Sequence, residues 1–162
     1  ASGEKVLTKL KELEELGILN VWTGIRFGML LHYLEDFFTM AHSRYFQGNL
    51  VEHIRYEVRL SRYIRVLFAG NYKLYDGDPE NTQVYSMEDL HERIVSLQKD
   101  YQKEIREAED ETICFATDLE YMNMAVQTVV GYMIPVMNRK TNMYHRLETR
   151  VMIQMPQRYR FL

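Results

Sequence analysis

The sequence predicts an all-α protein, a helical bundle of about five helices in one domain. Apolar residues recur at helical spacing along most of the chain, and no segment shows the alternation typical of a β-strand. The length of 162 residues suits a single domain with a sizeable core. We expect this domain to span 1–162, with a metal-site hairpin at 20–69, C-terminal helices at 87–138 and a basic tail at 139–162.

The first three helices are predicted from apolar spacing and from stop signals. The first covers about 3–16 and ends at Gly17, which follows the last residue of the apolar pattern. The second covers about 20–41 and has a wide apolar face. The third covers about 50–69, after a linker of about seven residues that permits an antiparallel helical hairpin.

The remaining helices follow a polar stretch. Residues 70–81 are rich in turn formers and predict a surface loop. Ser86 with Asp89 three residues later resembles a capping box, so a fourth helix is expected to start there. A break near 109–111 then separates it from a last long helix over about 111–138.

Composition and charge exclude several classes of protein. The single cysteine, Cys114, rules out a disulfide scaffold and a thiolate-rich structural zinc site. With a net charge of -3, the chain lacks the basic footprint of a nucleic-acid-binding protein. The longest apolar run, 124–137, is shorter than the roughly 20 residues of a membrane span, so we expect a soluble protein without a transmembrane helix. Compartment and oligomeric state are left open.

The end of the chain is basic. From residue 139 onward, six lysines and arginines accompany one acidic residue, Glu148, among apolar side chains. Such a tail can touch an anionic membrane surface or a partner chain. Docking on its own domain is the commoner role of such a segment and is the interpretation we favour.

Five candidate metal ligands lie within 26 consecutive residues. They are His32, Asp36, His42, His53 and Glu57. In the first two and in the last two, an imidazole precedes a carboxylate by four residues, which puts both groups on one face of a helix. The spacing is therefore typical of metal coordination.

The predicted hairpin would bring these ligands together. It places His42, at the end of the second helix, towards His53 and Glu57 near the start of the third. Two imidazoles and one carboxylate with an open fourth position form the ligand set of a hydrolytic zinc. His32 and Asp36 can then supply part of a second site.

Ordinary roles compete with this interpretation. A single histidine on an apolar helix face is usually hydrogen-bonded in the core, and a helical His/acid pair is often a surface ion pair. Two such pairs together with His42 favour a metal site. Glu35 is about 100° from Asp36 around the helix and is expected to face elsewhere. The one Glu88/His91 pair matches half of a di-iron motif that needs two, so di-iron is disfavoured.

The ligand pattern resembles a known family. The order His-Tyr-Leu-x-Asp, five residues, His, and then His-x-x-Tyr-Glu is similar to that of the zinc-dependent phospholipase C family, a helical group related to the zinc nucleases of the S1/P1 type. The matching positions are His32, Tyr33, Leu34, Asp36, His42, His53, Tyr56 and Glu57. The flanking Gly28-Met-Leu-Leu and the segment from Gly48 to His53 also look like short bacterial members of this family.

The resemblance implies a phospholipase C/P1 nuclease-like fold that holds one to three zinc ions. It implies that His42, His53 and Glu57 bind one zinc, that His32 and Asp36 bind a second, and that Asp36 reaches a third. Family members place further ligands upstream, whereas residues 1–31 contain no histidine and no aspartate.

Two further features of the sequence bear on this departure. Met40 occupies a place where many relatives carry proline. The chain starts Ala-Ser-Gly-Glu-Lys, without an initiator methionine or an apolar signal core, so we expect the native N-terminus to be absent. Two interpretations stay open: the C-terminal two-thirds of a longer enzyme, or a degenerate relative that keeps one complete site.

The function expected from this resemblance is zinc-dependent hydrolysis of a phosphodiester, with a phospholipid head-group ester or a similar diester as the substrate and a zinc-activated water as the nucleophile. No catalytic base can be named from the sequence. The alternative is a non-catalytic bundle, with or without a metal, that acts as an interaction or structural module.

Overall fold

The computed structural model describes residues 3–70 and 84–154, with the side chains of 5–70 and 84–141. Five α-helices and one short 3-10 helix follow one another, and the described residues contain no strand. The elements are α1 (Gly3–Leu16), α2 (Val21–Asp36), the 3-10 helix (Met40–His42), α3 (Leu50–Ala69), α4 (Met87–Glu107) and α5 (Glu111–Gln154). The all-α prediction is confirmed. From residue 71 onward, the predicted surface loop lies outside the described residues.

Local signals set most helix ends. Gly17 ends α1 with φ of 59°, a left-handed conformation that glycine adopts without strain. Asn20 and Asn49 form capping boxes at the starts of α2 and α3. At the start of α4, the Ser86 hydroxyl accepts the N–H of Asp89 at 3.0 Å, as the sequence predicts.

The second helix ends earlier than predicted. It stops at Asp36, whereas the apolar pattern continues to about 41. The N–H groups after it bond three residues back, and Thr39 is extended, with φ of -120° and ψ of 130°. The N–H of Met40 then donates to the carboxylate of Asp118 on α5 at 3.1 Å rather than to a carbonyl of its own helix. His42 therefore lies at the end of a separate 3-10 turn, not at the end of α2.

The last helix is longer than predicted, because α5 continues past residue 138 to Gln154. The side chains of the basic tail lie outside the described residues from 142 onward, so its contact with a membrane or a partner stays a prediction. None of the helices in the described part of the chain is both long enough and apolar enough to cross a membrane.

Helix α5 is the centre of the bundle and packs against all four other α-helices and the 3-10 helix. The largest described side chains with almost no exposure are Leu10, Leu13, Phe38, Leu90, Tyr101, Asp118, Val129, Met133 and Met137. Helix α3 lies at the edge, since of its side chains Tyr56 and Leu60 alone are buried. One face of α3 is consequently free to line an open site.

Candidate metal centre

Three of the predicted ligands meet where the 3-10 helix approaches the first turns of α3. Nε2 of His53 lies 3.0 Å from Oε1 of Glu57, one turn later on α3. Nε2 of His42, at the end of the 3-10 helix, lies 3.4 Å from the same oxygen. The two imidazole rings are perpendicular, with their centroids 4.5 Å apart.

This donor set fits one zinc ion. One ligand atom from each of His42, His53 and Glu57 lies within 4.8 Å of the others. In a tetrahedral site with bonds of about 2.0–2.2 Å, neighbouring ligand atoms are about 3.3–3.6 Å apart, so small side-chain movements suffice to place an ion between them. Two imidazoles and a carboxylate leave the fourth position open, as in catalytic zinc sites.

The solvent exposure of the three side chains increases from His53 through His42 to Glu57. His53 is the most enclosed, at 23%, and Phe46 packs edge-on against its ring. His42 and Glu57 are 35% and 46% exposed, respectively. The site is thus most enclosed at His53 and most open at Glu57, where a substrate can approach.

The remaining predicted ligands line the same cleft, which has a volume of about 690 Å³ and reaches from His32 to Glu57. Asp36, at the end of α2, places Oδ1 3.6 Å from Nε2 of His42, so this nitrogen faces two carboxylates. The His32 side chain is 71% exposed, and its Nδ1 lies 3.9 Å from Glu35. Asp36 therefore adjoins the three-ligand group, whereas His32 lies apart from it.

Glu35 contradicts the expectation that it faces elsewhere. It lines the cleft together with His32 and Asp36, because the last turn of α2 forms one wall and a long glutamate side chain bridges the 100° offset. Burial raises the pKa of Glu35 above its ordinary value; His32 opposes this effect, and Asp36 adds to it. The wall of the cleft formed by α2 thus carries two carboxylates rather than one.

A buried carboxylate behind the site was not predicted from the sequence. Asp118 of α5 is fully buried and accepts hydrogen bonds from Tyr56 of α3 at 2.8 Å and from Tyr101 of α4 at 2.9 Å. It also accepts the N–H of Met40. Tyr56 precedes Glu57, and Met40 lies two residues before His42. One carboxylate therefore ties together both segments that carry the three ligands.

The environment of Asp118 shifts several pKa values. Burial raises the pKa of its carboxyl to about 6, although the three hydrogen bonds oppose this shift. Burial also raises the pKa values of Tyr56 and Tyr101, and the neighbouring carboxylate adds to this increase. The tyrosines therefore act as hydrogen-bond donors throughout the neutral range.

Two signals in the sequence bear on Asp118. It falls at helical spacing with the apolar Cys114, Phe115 and Tyr121, all of them buried, so it lies on a face of α5 where an unpaired charge is unfavourable. Met40 is the second signal, because its N–H is one of the donors to Asp118 and proline at that position would have none. Neither signal predicts that Tyr56 and Tyr101 are the side chains that bind Asp118.

These observations define a helical protein with an open group of two histidines and one carboxylate, at the edge of its bundle, that could hold a metal ion. The chain belongs to the zinc-dependent phospholipase C family, whose sequence model matches residues 2–108 and so includes all five predicted ligands. Zinc is the cofactor that the family and the donor set indicate. Neither a curated protein nor a solved structure matches the chain. Asp118 lies beyond the matched segment.

Proposed function

We propose that the chain is a phosphodiester hydrolase that cleaves the head-group ester of a phospholipid, with its principal zinc ion held by His42, His53 and Glu57. The observation that carries the proposal is the convergence of three ligand atoms from two elements, where His42 and Glu57 line an open cleft of about 690 Å³. Membership of the zinc-dependent phospholipase C family supports the reaction class.

The residues of the chain have distinct tasks in this proposal. The two imidazoles and Glu57 hold the ion, and Asp36 is the next carboxylate within reach of it. When bound, zinc supplies Lewis-acid stabilisation of a phosphoryl group and a nucleophilic water at neutral pH. In the overall reaction, the oxygen of water bonds to phosphorus, and the bond from phosphorus to the glycerol oxygen breaks. The leaving alcohol takes up a proton.

The opposite end of the cleft is proposed to bind a weaker second ion. His32 and Asp36 supply two donors there, and Glu35 adds a third donor, a second carboxylate, to the same wall. These donors come from one helix, so they surround an ion less completely than donors from two elements do. We therefore expect the second ion to exchange more readily than the first.

Hydrolysis of a chromogenic phosphocholine diester tests the proposed function. We expect zinc-loaded protein to cleave the diester, chelator to abolish cleavage, and added zinc to restore it. Glu57→Gln weakens the ion site and should lower the rate by roughly a hundredfold or more. The matched variant Glu120→Gln changes an exposed glutamate on α5 and should retain the wild-type rate.

Two outcomes would contradict the proposal. Cleavage that is indifferent to chelator would show that the ion takes no part in it. Stable zinc binding without cleavage of this diester or of short-chain phospholipids would instead identify the chain as a non-catalytic metal-binding module.

A further inference from the structure

A second pocket, of about 560 Å³, meets the metal centre at His42. It lies between the segment after the 3-10 helix and the second half of α4. Among the described residues, His42 alone lines both this pocket and the metal cleft. A ligand that extends from the metal centre past this imidazole would enter the pocket, which has the size of an ordinary small-molecule site.

The pocket is lined by positive charge. Lys99, Lys103 and Arg106 recur at four- and three-residue spacing and so share one face of α4. Arg44 faces them from the segment after the 3-10 helix. None of the described residues that line the pocket is acidic. Four like charges around one concavity repel each other, and an anion bound there would relieve this repulsion.

Few side chains of the protein itself compete with a ligand for the four cations of the pocket. Arg44 donates to the hydroxyl of Tyr45 at 2.7 Å and lies 4.9 Å from the centre of its ring, contacts that orient the guanidinium but leave its charge uncompensated. Arg106 pairs with Glu107 at 3.2 Å. Within the described part of the chain, neither Lys99 nor Lys103 has a carboxylate oxygen within 4.0 Å. The two lysines are thus available to a ligand.

The pocket also contains an unused hydrogen-bond acceptor. The side-chain oxygen of Gln102 is buried and has no partner among the described residues. A rotation of this side chain towards the pocket would let a hydroxyl group on a ligand donate to the oxygen, and buried polar atoms normally find such a partner. Cations beside a neutral acceptor suit a head group that carries both negative charge and hydroxyl groups.

We propose that this pocket binds a phosphomonoester on the head group of the substrate, in addition to the phosphodiester that reacts. This inference rests on the proposed function, because it places the diester at the metal centre and the second phosphate past His42. A phosphomonoester carries a charge of about -1.5 to -2 at neutral pH, whereas a carboxylate carries -1, so four cations match the phosphate better. The substrate class is therefore a phosphorylated, hydroxylated phospholipid head group.

Titration calorimetry with two reaction-product analogues tests the pocket without any turnover. The zinc-loaded full chain is titrated with inositol 1-phosphate and with inositol 1,4-bisphosphate. We expect the bisphosphate to bind about tenfold more tightly, since its second phosphate gains the contacts with the lysines. The double variant Lys99→Gln/Lys103→Gln should reduce this preference to about twofold or less.

A matched variant separates this effect from the loss of overall charge. Lys5→Gln/Lys11→Gln removes two exposed lysines of α1, which does not contribute to the pocket, and should keep the preference. The inference is overturned if wild type shows no preference or if the preference survives in the Lys99→Gln/Lys103→Gln variant. An equal gain for phosphoserine over phosphoethanolamine would overturn the assignment to a phosphomonoester, because the two differ by one carboxylate.

The two proposals fail separately. If the bisphosphate preference holds but no diester is cleaved, the proposed function fails and the anion pocket stands. If the phosphocholine diester is cleaved in a zinc-dependent manner but the preference is absent, the inference about the head group fails and the hydrolase stands.

Discussion

The two ends of the metal cleft are built differently. At one end, His42 comes from a 3-10 turn while His53 and Glu57 come from α3, and their ligand atoms converge. At the other end, His32 and Asp36 share the last turns of α2, yet each contacts a different residue: Glu35 in the case of His32, and His42 in the case of Asp36. Helical spacing aligns ligands on a face, but a change of chain direction is needed to enclose an ion.

That change of direction depends on a contact from a distant part of the sequence. After α2 ends at Asp36, the N–H of Met40 is bonded to Asp118, and Asp118 also holds Tyr56 next to the proposed ligand Glu57. The converging end of the cleft is thus tied to the core of the bundle through α5. Although α2 itself packs against α5, neither His32 nor Asp36 forms a side-chain hydrogen bond or ion pair with α5 among the described residues.

Replacing Asp118 should have the largest effect on this comparison. Asp118→Ala leaves two buried tyrosine hydroxyls and the N–H of Met40 without their acceptor, so we expect the free energy of unfolding to fall by roughly 3 kcal/mol or more. Urea denaturation of the zinc-free protein measures this change. A loss below about 1 kcal/mol would contradict a central role for the carboxylate.

Asp118→Asn serves where the alanine variant does not fold. It keeps the shape and one acceptor, and the loosened support should weaken zinc binding at His42 and His53 by roughly tenfold. Glu120→Gln, on the same helix but exposed, is the control and should bind zinc as the wild type does. Unchanged affinity in Asp118→Asn would show that the turn keeps its geometry without the charge.

The contribution of Asp118 to the free energy of unfolding should depend on pH. The pKa of Asp118 is raised from 3.8 to about 6 in the folded protein, so the folded state holds its proton more tightly than the unfolded state. This contribution to stability is fully present below about pH 3.8 and is lost as pH rises through about 6. At 1.36 kcal/mol per pKa unit, the contribution is roughly 3 kcal/mol.

The measurement is the difference in unfolding free energy between wild type and Asp118→Asn, taken without zinc from pH 4 to 7. Groups other than residue 118 contribute equally to both proteins and cancel. The stability of wild type relative to the variant should decline over this range. A difference that is constant, or that grows with pH, would contradict the raised pKa.

A smaller change tests the turn itself. Thr39→Val removes the hydroxyl that donates to the carbonyl of Glu35 at 3.1 Å and should cost about 1 kcal/mol. Thr128→Val is a matched control, because the hydroxyl of this buried threonine donates to the carbonyl of Met124 at 2.7 Å within α5. Both variants should lose similar stability, but Thr39→Val alone should weaken zinc binding. Equal zinc affinity in the two variants would show that the turn at Thr39 does not support the zinc site.

The fold was predictable where local signals decide it. Asn49 and Ser86 are caps that mark the starts of α3 and α4, and Gly17 marks the end of α1. The end of α2 was not predictable, because residues 37–41 contain neither glycine nor proline and continue the apolar pattern. Past this end, the N–H of Met40 is bonded to a carboxylate 78 residues away in sequence rather than to its own helix.

The candidate site divides in the same way. The three ligands of the proposed zinc site were recognisable from the sequence. His53 and Glu57 show helical spacing, and His42 lies in the segment that leads to the same helix. Asp118 and the basic pocket were not, because a single buried acid has no sequence motif and charged residues at helical spacing usually form a solvated face. In both cases the proposed function depends on what α4 and α5 bring close to the turn.

The zinc content of His53→Ala and His32→Ala after dialysis against zinc-free buffer tests the three-ligand site most directly. Elemental analysis should find about one tightly held ion per chain in wild type and in His32→Ala, and close to none in His53→Ala, since His53 alone of the two residues belongs to the three-ligand set. Zinc content in His53→Ala equal to that of the wild type would contradict the assignment.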